Sequence, residues 1–289
     1  MPRVDLTAGT IEYQDGGGDG PVVVLCGGLA IGSSLWDGVV AALGDELRCV
    51  VPTLPWGAHR IPMHAGADLT MRGHAAILGE FLEALDLRDV TLVENDTAMA
   101  QVLCAGGCDR VGRLVITSCE AFDNYPPGLP GKAIALAAKL PGGLYLAVQQ
   151  LRLHAFRRSP LGFGRMAKRP IPHDVLDRWL EPLQTRREIR RDLAKYVGNL
   201  DRGVLSEAAE GLRSFDRPAL VVWAREDRVM PLEHGRRLAA LLPQGRLVEL
   251  DDCYTLIPLD RPDALAAQIA AFLRDTPTGP TRYPGSIDR

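Results

Sequence analysis

The sequence has no excess of positive charge. Its 33 lysines and arginines stand against 36 aspartates and glutamates, a net charge of −3. Taken over the whole chain, that balance gives no electrostatic case for nucleic acid or an anionic membrane as partner. Long apolar runs are missing too. The greasiest stretch, Ala133 to Leu151, is broken by Lys139 and by Pro141-Gly142-Gly143, too short and too interrupted to span a bilayer. The N-terminal stretch MPRVDLTAGTIEY has no secretory h-region. The six cysteines, Cys26, Cys49, Cys104, Cys108, Cys119 and Cys253, form no CxxC. They read as free thiols in a reducing, cytoplasmic setting, not as a disulfide framework or a metal site. There is no Walker A motif and no HxxxH or HExxH spacing, and Gly16-Gly17-Gly18 is not followed by a phosphate-binding helix. The expectation is no metal and no cofactor.

What is present is an ordinary globular composition. The 289 residues are 46% hydrophobic and 24% charged, enough for a sizeable core in one large domain or two. Up to about residue 125 the pattern alternates strand and helix. Strand-like runs are Thr10 to Tyr13, Pro21 to Cys26, Arg48 to Val51, Val90 to Val93 and Val111 to Thr117. Helical spacing appears at Trp36 to Leu43, at Met71 to Leu85 with Thr70 as N-cap, and at Thr97 to Ala105. Such alternation implies right-handed crossovers and a mostly parallel sheet, an α/β fold. From residue 126 to 217 only helical segments appear: Lys132 to Leu140, Leu144 to Phe156, His173 to Leu183, Arg186 to Val197 and Gly203 to Leu212. The strand–helix rhythm then returns with Ala219 to Trp223, Leu232 to Leu242, Leu247 to Leu250 and Pro262 to Leu273. The organisation read from this is a core of residues 1–125 and 218–275, an inserted helical cap of residues 126–217, and a flexible tail of residues 276–289 rich in Pro, Gly and Thr.

The chemistry gathers at the carboxyl ends of the strands, where parallel sheets bind ligands. The stretch Val93-Glu94-Asn95-Asp96-Thr97-Ala98-Met99-Ala100 is a sharp strand-to-helix turn with Asp96 at its apex. Gly27-Gly28-Leu29 follows the strand ending at Cys26, Glu120 follows Thr117, and Asp227 lies in VVWAREDRVMP. The elbow, the stretch Trp223 to Pro231, the helical insertion and the ending LDRPDALAAQIAAFL occur in an order and spacing that resembles the α/β-hydrolase superfamily over about Val22 to Leu273. With a carboxylate at the elbow, the chain looks like the branch containing haloalkane dehalogenases and epoxide hydrolases.

That resemblance implies a fold and a set of roles. It implies a mostly parallel central sheet flanked by helices, with a cap over the catalytic edge. It implies that Asp96 is the central catalytic group, as nucleophile or as acid/base. Asp227 takes the usual acid position and Glu120 the alternative acid position. The backbone N–H groups of Leu29 and Thr97 fall where an oxyanion would be held. The histidine position just before the last helix is Thr255, in Cys253-Tyr254-Thr255-Leu256-Ile257-Pro258. Without an imidazole there, three carboxylates converge, and one of them should stay protonated near neutrality. Thr255, Tyr254, His59, Tyr145 and Trp36 are the expected substrate-pocket residues.

The favoured reading is a cofactor-independent enzyme acting on an apolar small molecule by Asp96-centred acid/base chemistry. The reaction would be a non-hydrolytic cyclisation, isomerisation or elimination, of a kind used in secondary metabolism. Two alternatives stay open: a hydrolase of dehalogenase or epoxide-hydrolase type, and an inactive small-molecule-binding protein. A homodimer is compatible with the sequence.

Overall fold

The structure, a computed structural model, describes residues 1–276. Of the expected tail, residues 277–289 lie outside the described residues. Thr276 is held in place: its carbonyl oxygen accepts from Arg113 Nε at 2.7 Å.

Eight strands form one sheet in the order β1-β2-β4-β3-β5-β6-β7-β8. They are β1 (Arg3–Leu6), β2 (Gly9–Asp15), β3 (Val22–Cys26), β4 (Arg48–Pro52), β5 (Val90–Asp96), β6 (Val111–Cys119), β7 (Ala219–Ala224) and β8 (Gly245–Leu250). β1–β2 and β2–β4 pair antiparallel, and all other pairs are parallel. β5 and β7 are buried at every residue, as expected for central strands covered on both faces by helices. This is the α/β-hydrolase fold. β1 is an addition to the strands legible in the sequence, and β2 runs beyond Thr10–Tyr13 in both directions.

The helices of the core are α1 (Asp37–Leu43), α2 (Met71–Ala84), α3 (Met99–Ala105), α10 (Leu232–Leu241), α11 (Ile257–Asp260) and α12 (Pro262–Asp275). Thr70 caps α2, its side chain accepting from the Gly73 N–H at 3.2 Å, a contact of about 1 kcal/mol. Between β6 and β7 come α4 (Gly128–Ala138), α5 (Gly143–Gln150), α6 (His154–Arg157), α7 (His173–Thr185), α8 (Arg187–Gly198) and α9 (Val204–Leu212). The single helix expected over Leu144 to Phe156 is broken into α5 and α6. α9 lies against α3. A Cβ on Gly211 of α9 would come within 2.7 Å of the Ala105 Cβ, so glycine permits this close approach. The last helix of the segment read as cap therefore shares the layer of helices on the sheet.

Candidate active site

The elbow is built by backbone geometry. β5 runs to Asp96, and its pairing with β6 shifts register between Asn95 and Asp96. Asp96 has φ +70°, left-handed backbone that costs an ordinary L-residue roughly 1–2 kcal/mol. Asp tolerates it better than most, and strain of this kind collects at functional turns. The turn presents Asp96 at the carboxyl edge of the sheet, only 6% exposed.

Three partners fix its surroundings. The Leu29 N–H donates to Asp96 Oδ2 at 3.2 Å. Gly28 lies so close that a Cβ there would stand 2.2 Å from the same oxygen, so residue 28 must be glycine for the carboxylate to hold this place. Behind the elbow, Asn95 Nδ2 donates to Thr117 Oγ1 at 2.9 Å and to the Thr255 carbonyl at 2.8 Å. This ties the loop before α11 to the end of β5.

Burial sets the protonation. It pushes the Asp96 carboxyl up to about 7, against the Leu29 N–H, which lowers it; the charge of Asp227 adds to the rise. Glu120 is held well above the usual carboxylate range, by burial first and then by the charges of Asp96 and Glu94. The Tyr196 hydroxyl reaches Glu120 Oε2 at a long 3.5 Å. A site with one carboxyl poised near neutrality and another kept protonated holds a base and an acid together.

Both carboxyls line one cavity of about 410 Å³ between the sheet edge and the cap, within the ~300–1,000 Å³ range of small-molecule sites. Asp96 and Glu120 are its only charged lining residues among the described residues. The rest is largely apolar, from Leu29, Pro126, Ile134, Leu151, Phe163, Met166 and others. Thr97 and Trp56 also line it, and the Thr97 hydroxyl and Trp56 Nε1 are buried with no hydrogen-bond partner among the described residues.

Several expected site residues lie elsewhere. Asp227 does not line the cavity. Its Oδ1 accepts from the N–H groups of Val229 at 2.9 Å and Met230 at 2.8 Å and from the Thr255 hydroxyl at 2.8 Å. Burial raises its carboxyl, and Oδ2 has no hydrogen-bond partner among the described residues. Thr255 is fully buried against it, outside the cavity lining. Tyr254 is buried under the Arg228 guanidinium, 4.5 Å above its ring. Trp36 is packed into the core. Tyr145 is exposed on α5 beneath Arg190, because α5 turns its neighbours Leu144 and Val148 inward. His59 is buried with Nε2 at 3.2 Å from Asp192 Oδ2 of α8, and it too stands outside the lining.

No histidine takes the base position. His74 is stacked on Trp56, and burial lowers it to about 4. His154 and His173 stack on each other in the cap. His64 meets the Thr7 carbonyl and His234 faces Asp123. None of these lines the cavity.

Two features escaped the sequence reading. Tyr196 and Trp56, from α8 and the loop after β4, meet edge to face at 4.8 Å in the cavity wall. Glu94, two residues before Asp96, is fully buried, pushed up to about 8 by burial, and held by the Ala100 N–H at 2.8 Å and Gln101 Nε2 at 2.9 Å. The superfamily's elbow pattern is G-x-nucleophile-x-G, and Glu94 standing at its first glycine was the available signal.

An eight-stranded, mostly parallel sheet, an acid-bearing elbow at the end of β5 and a helical cap define the class: the chain belongs to the alpha/beta hydrolase fold family, which it matches over residues 21–262. Within it, the chain is 27% identical to haloalkane dehalogenase 2 of Mycobacterium tuberculosis over 92% of each chain. It is also 27% identical to the cis-3-alkyl-4-alkyloxetan-2-one decarboxylase of Xanthomonas campestris, over 95% of this chain and 96% of that one. Among solved structures, a putative ancestral haloalkane dehalogenase superposes with a TM-score of 0.77 at 20% identity, covering 96% of this chain and 99% of that one. The chain is thus an enzyme-family member resembling the dehalogenase branch.

Proposed function

We propose that this protein is a cofactor-independent enzyme that moves a proton on an apolar small molecule, with Asp96 as base and Glu120 as acid, in a reaction that consumes no water. The observation that carries this reading is the cavity itself: the carboxyls of Asp96 and Glu120 are its only acidic or basic lining residues among the described residues, and no histidine lines it. Hydrolysis of an aspartyl ester needs a base to activate water; Thr255, bound to Asp227, is no such base.

In the reaction proposed, Asp96 takes a proton from a carbon next to a carbonyl. The electron pair moves to the carbonyl oxygen. Protonated Glu120 supplies a hydrogen bond or its proton to that oxygen, and the unpartnered Thr97 hydroxyl and Trp56 N–H provide further donors. Return of the proton to another carbon gives isomerisation; loss of a leaving group gives elimination. The related decarboxylase is named for an oxetan-2-one bearing two alkyl groups, an apolar substrate in keeping with this cavity.

A second reading has Asp96 as a nucleophile, and the similarity to haloalkane dehalogenases favours it. The test is a panel of apolar ketones, lactones and alkyl halides, each offered to the wild type and to Glu120→Gln. Proton transfer predicts turnover of carbonyl compounds that falls strongly in Glu120→Gln. Turnover confined to alkyl halides, with halide release, would replace the proposal by the nucleophilic reading.

A further inference from the structure

The exposed apolar residues and the unpaired basic residues of the cap are concentrated in one stretch of the chain. Between Asp123 and Asp174 the chain has eight lysines and arginines and no acidic residue, so the rest of the chain carries the whole of its negative balance. Three of those cations have partners: Arg157 on Asp177, Lys168 on Glu226 and Asp252, Arg169 on Asp252. Lys132, Lys139, Arg152, Arg158 and Arg165 are exposed and have no ion-pair partner among the described residues.

The same stretch holds every large exposed hydrophobic of the described residues except Met1. These are Leu129, Leu136, Leu140, Tyr145, Leu146, Leu153 and Leu161, each 44–64% exposed. Single exposed leucines are unremarkable, but seven such residues in one segment, three of them around one cavity, make an apolar surface that calls for a partner. Leu140, Leu146 and Leu161 also line the cavity, so the patch and the cavity wall are continuous.

From this geometry we infer that the cap docks on an anionic lipid surface and takes its apolar substrate from it. Leucines flanked by free cations, with no acid among them, match the interface of an anionic bilayer, where apolar side chains enter the acyl boundary and cations meet headgroups. No described helix is long and apolar enough to cross a membrane, so the contact is peripheral. The opening of an apolar cavity within the patch favours lipid over an acidic protein, because an apolar substrate partitions into the bilayer that the patch would meet. The inference rests on the apolar cavity and not on the chemistry at Asp96, so each can fail without the other.

The experiment is flotation of the full chain with vesicles of phosphatidylcholine alone and of phosphatidylcholine with phosphatidylserine. Binding is expected to the second at low salt, and to fall steeply as salt is raised. Leu136→Ser with Leu153→Ser, and separately Arg152→Glu with Arg158→Glu, should each weaken it roughly tenfold or more. None of these four residues lines the cavity, and an unchanged Tm certifies folding. Absence of binding to anionic vesicles by the wild type overturns the inference. So does equal binding by both double variants. A concentration-dependent dimer in sedimentation, abolished by the leucine variant and without vesicle binding, would assign the patch to a second copy of the chain instead.

Discussion

Thr255 donates its hydroxyl to Asp227 Oδ1 at 2.8 Å, and neither residue lines the cavity that Asp96 and Glu120 share. A triad would place an imidazole between Asp227 and the elbow. Here a short hydroxyl satisfies the acid, and the loop is pinned by Asn95 to the Thr255 carbonyl. Thr255→Val is therefore expected to cost stability, about 1.5–3 kcal/mol for a buried hydrogen bond to a charged group, read by urea unfolding. Its turnover should change by less than tenfold. A collapse of turnover with stability unchanged would return Asp227 to the catalytic machinery.

Gly28→Ala probes the seat of Asp96. The added methyl would fall 2.2 Å from Asp96 Oδ2, so the carboxylate must move from the Leu29 N–H. Turnover should fall about as far as in Asp96→Asn, two to four orders of magnitude for a lost proton-transfer group, with the far-ultraviolet circular dichroism retained.

The contribution of the buried carboxyls to the pH dependence of stability has a definite sign. Asp96 is raised from 3.8 to about 7, and Glu94 from 4.5 to about 8, both by burial. A carboxyl whose folded pKa is raised keeps its proton in the native state after the unfolded chain has lost it. The stability it contributes is complete below the unfolded value and is lost as pH rises through the folded one. Buried His74, lowered from 6.5 to about 4, works in the opposite sense below its ordinary value, so the test is the difference between proteins: between about pH 4 and 7 the wild type should lose more Tm with rising pH than Asp96→Asn does. An identical pH–Tm curve for the two proteins would mean that Asp96 is not raised.

Activity should rise with pH as Asp96 loses its proton, with a midpoint near 7 in kcat/KM, and fall at higher pH as protonated Glu120 ionises. Glu120→Gln should remove the high-pH limb and leave the low-pH one.

Much of the fold is legible because each level of the sequence agrees. Continuous apolar runs such as PVVVLC become central parallel strands, and Thr70 caps α2 where the 3.6-residue spacing begins. The elbow and the substituted histidine position follow from motif order. The cavity wall does not, because its residues meet only in three dimensions. Trp56 and Tyr196 are 140 positions apart and share no local pattern. Tyr145 shows how one position can mislead. Helical spacing marks α5 as amphipathic, but Leu144 and Val148 take the inward stripe and leave Tyr145 outside. His59 follows β4 at the right edge of the sheet, yet Asp192 of α8, invisible to local reading, holds it away from the cavity lining. The net charge of −3 likewise averages out an acid-free segment of cap, which only a windowed count exposes.

The central claim is that Asp96 moves a proton and forms no ester that water must break. The direct measurement is a single turnover in water labelled with heavy oxygen, followed by mass spectrometry of the peptide containing Asp96 and of the product. The account predicts no label in the Asp96 carboxylate and none in the product skeleton. Heavy oxygen in Asp96 or in the product would show a hydrolysed aspartyl ester and contradict the account.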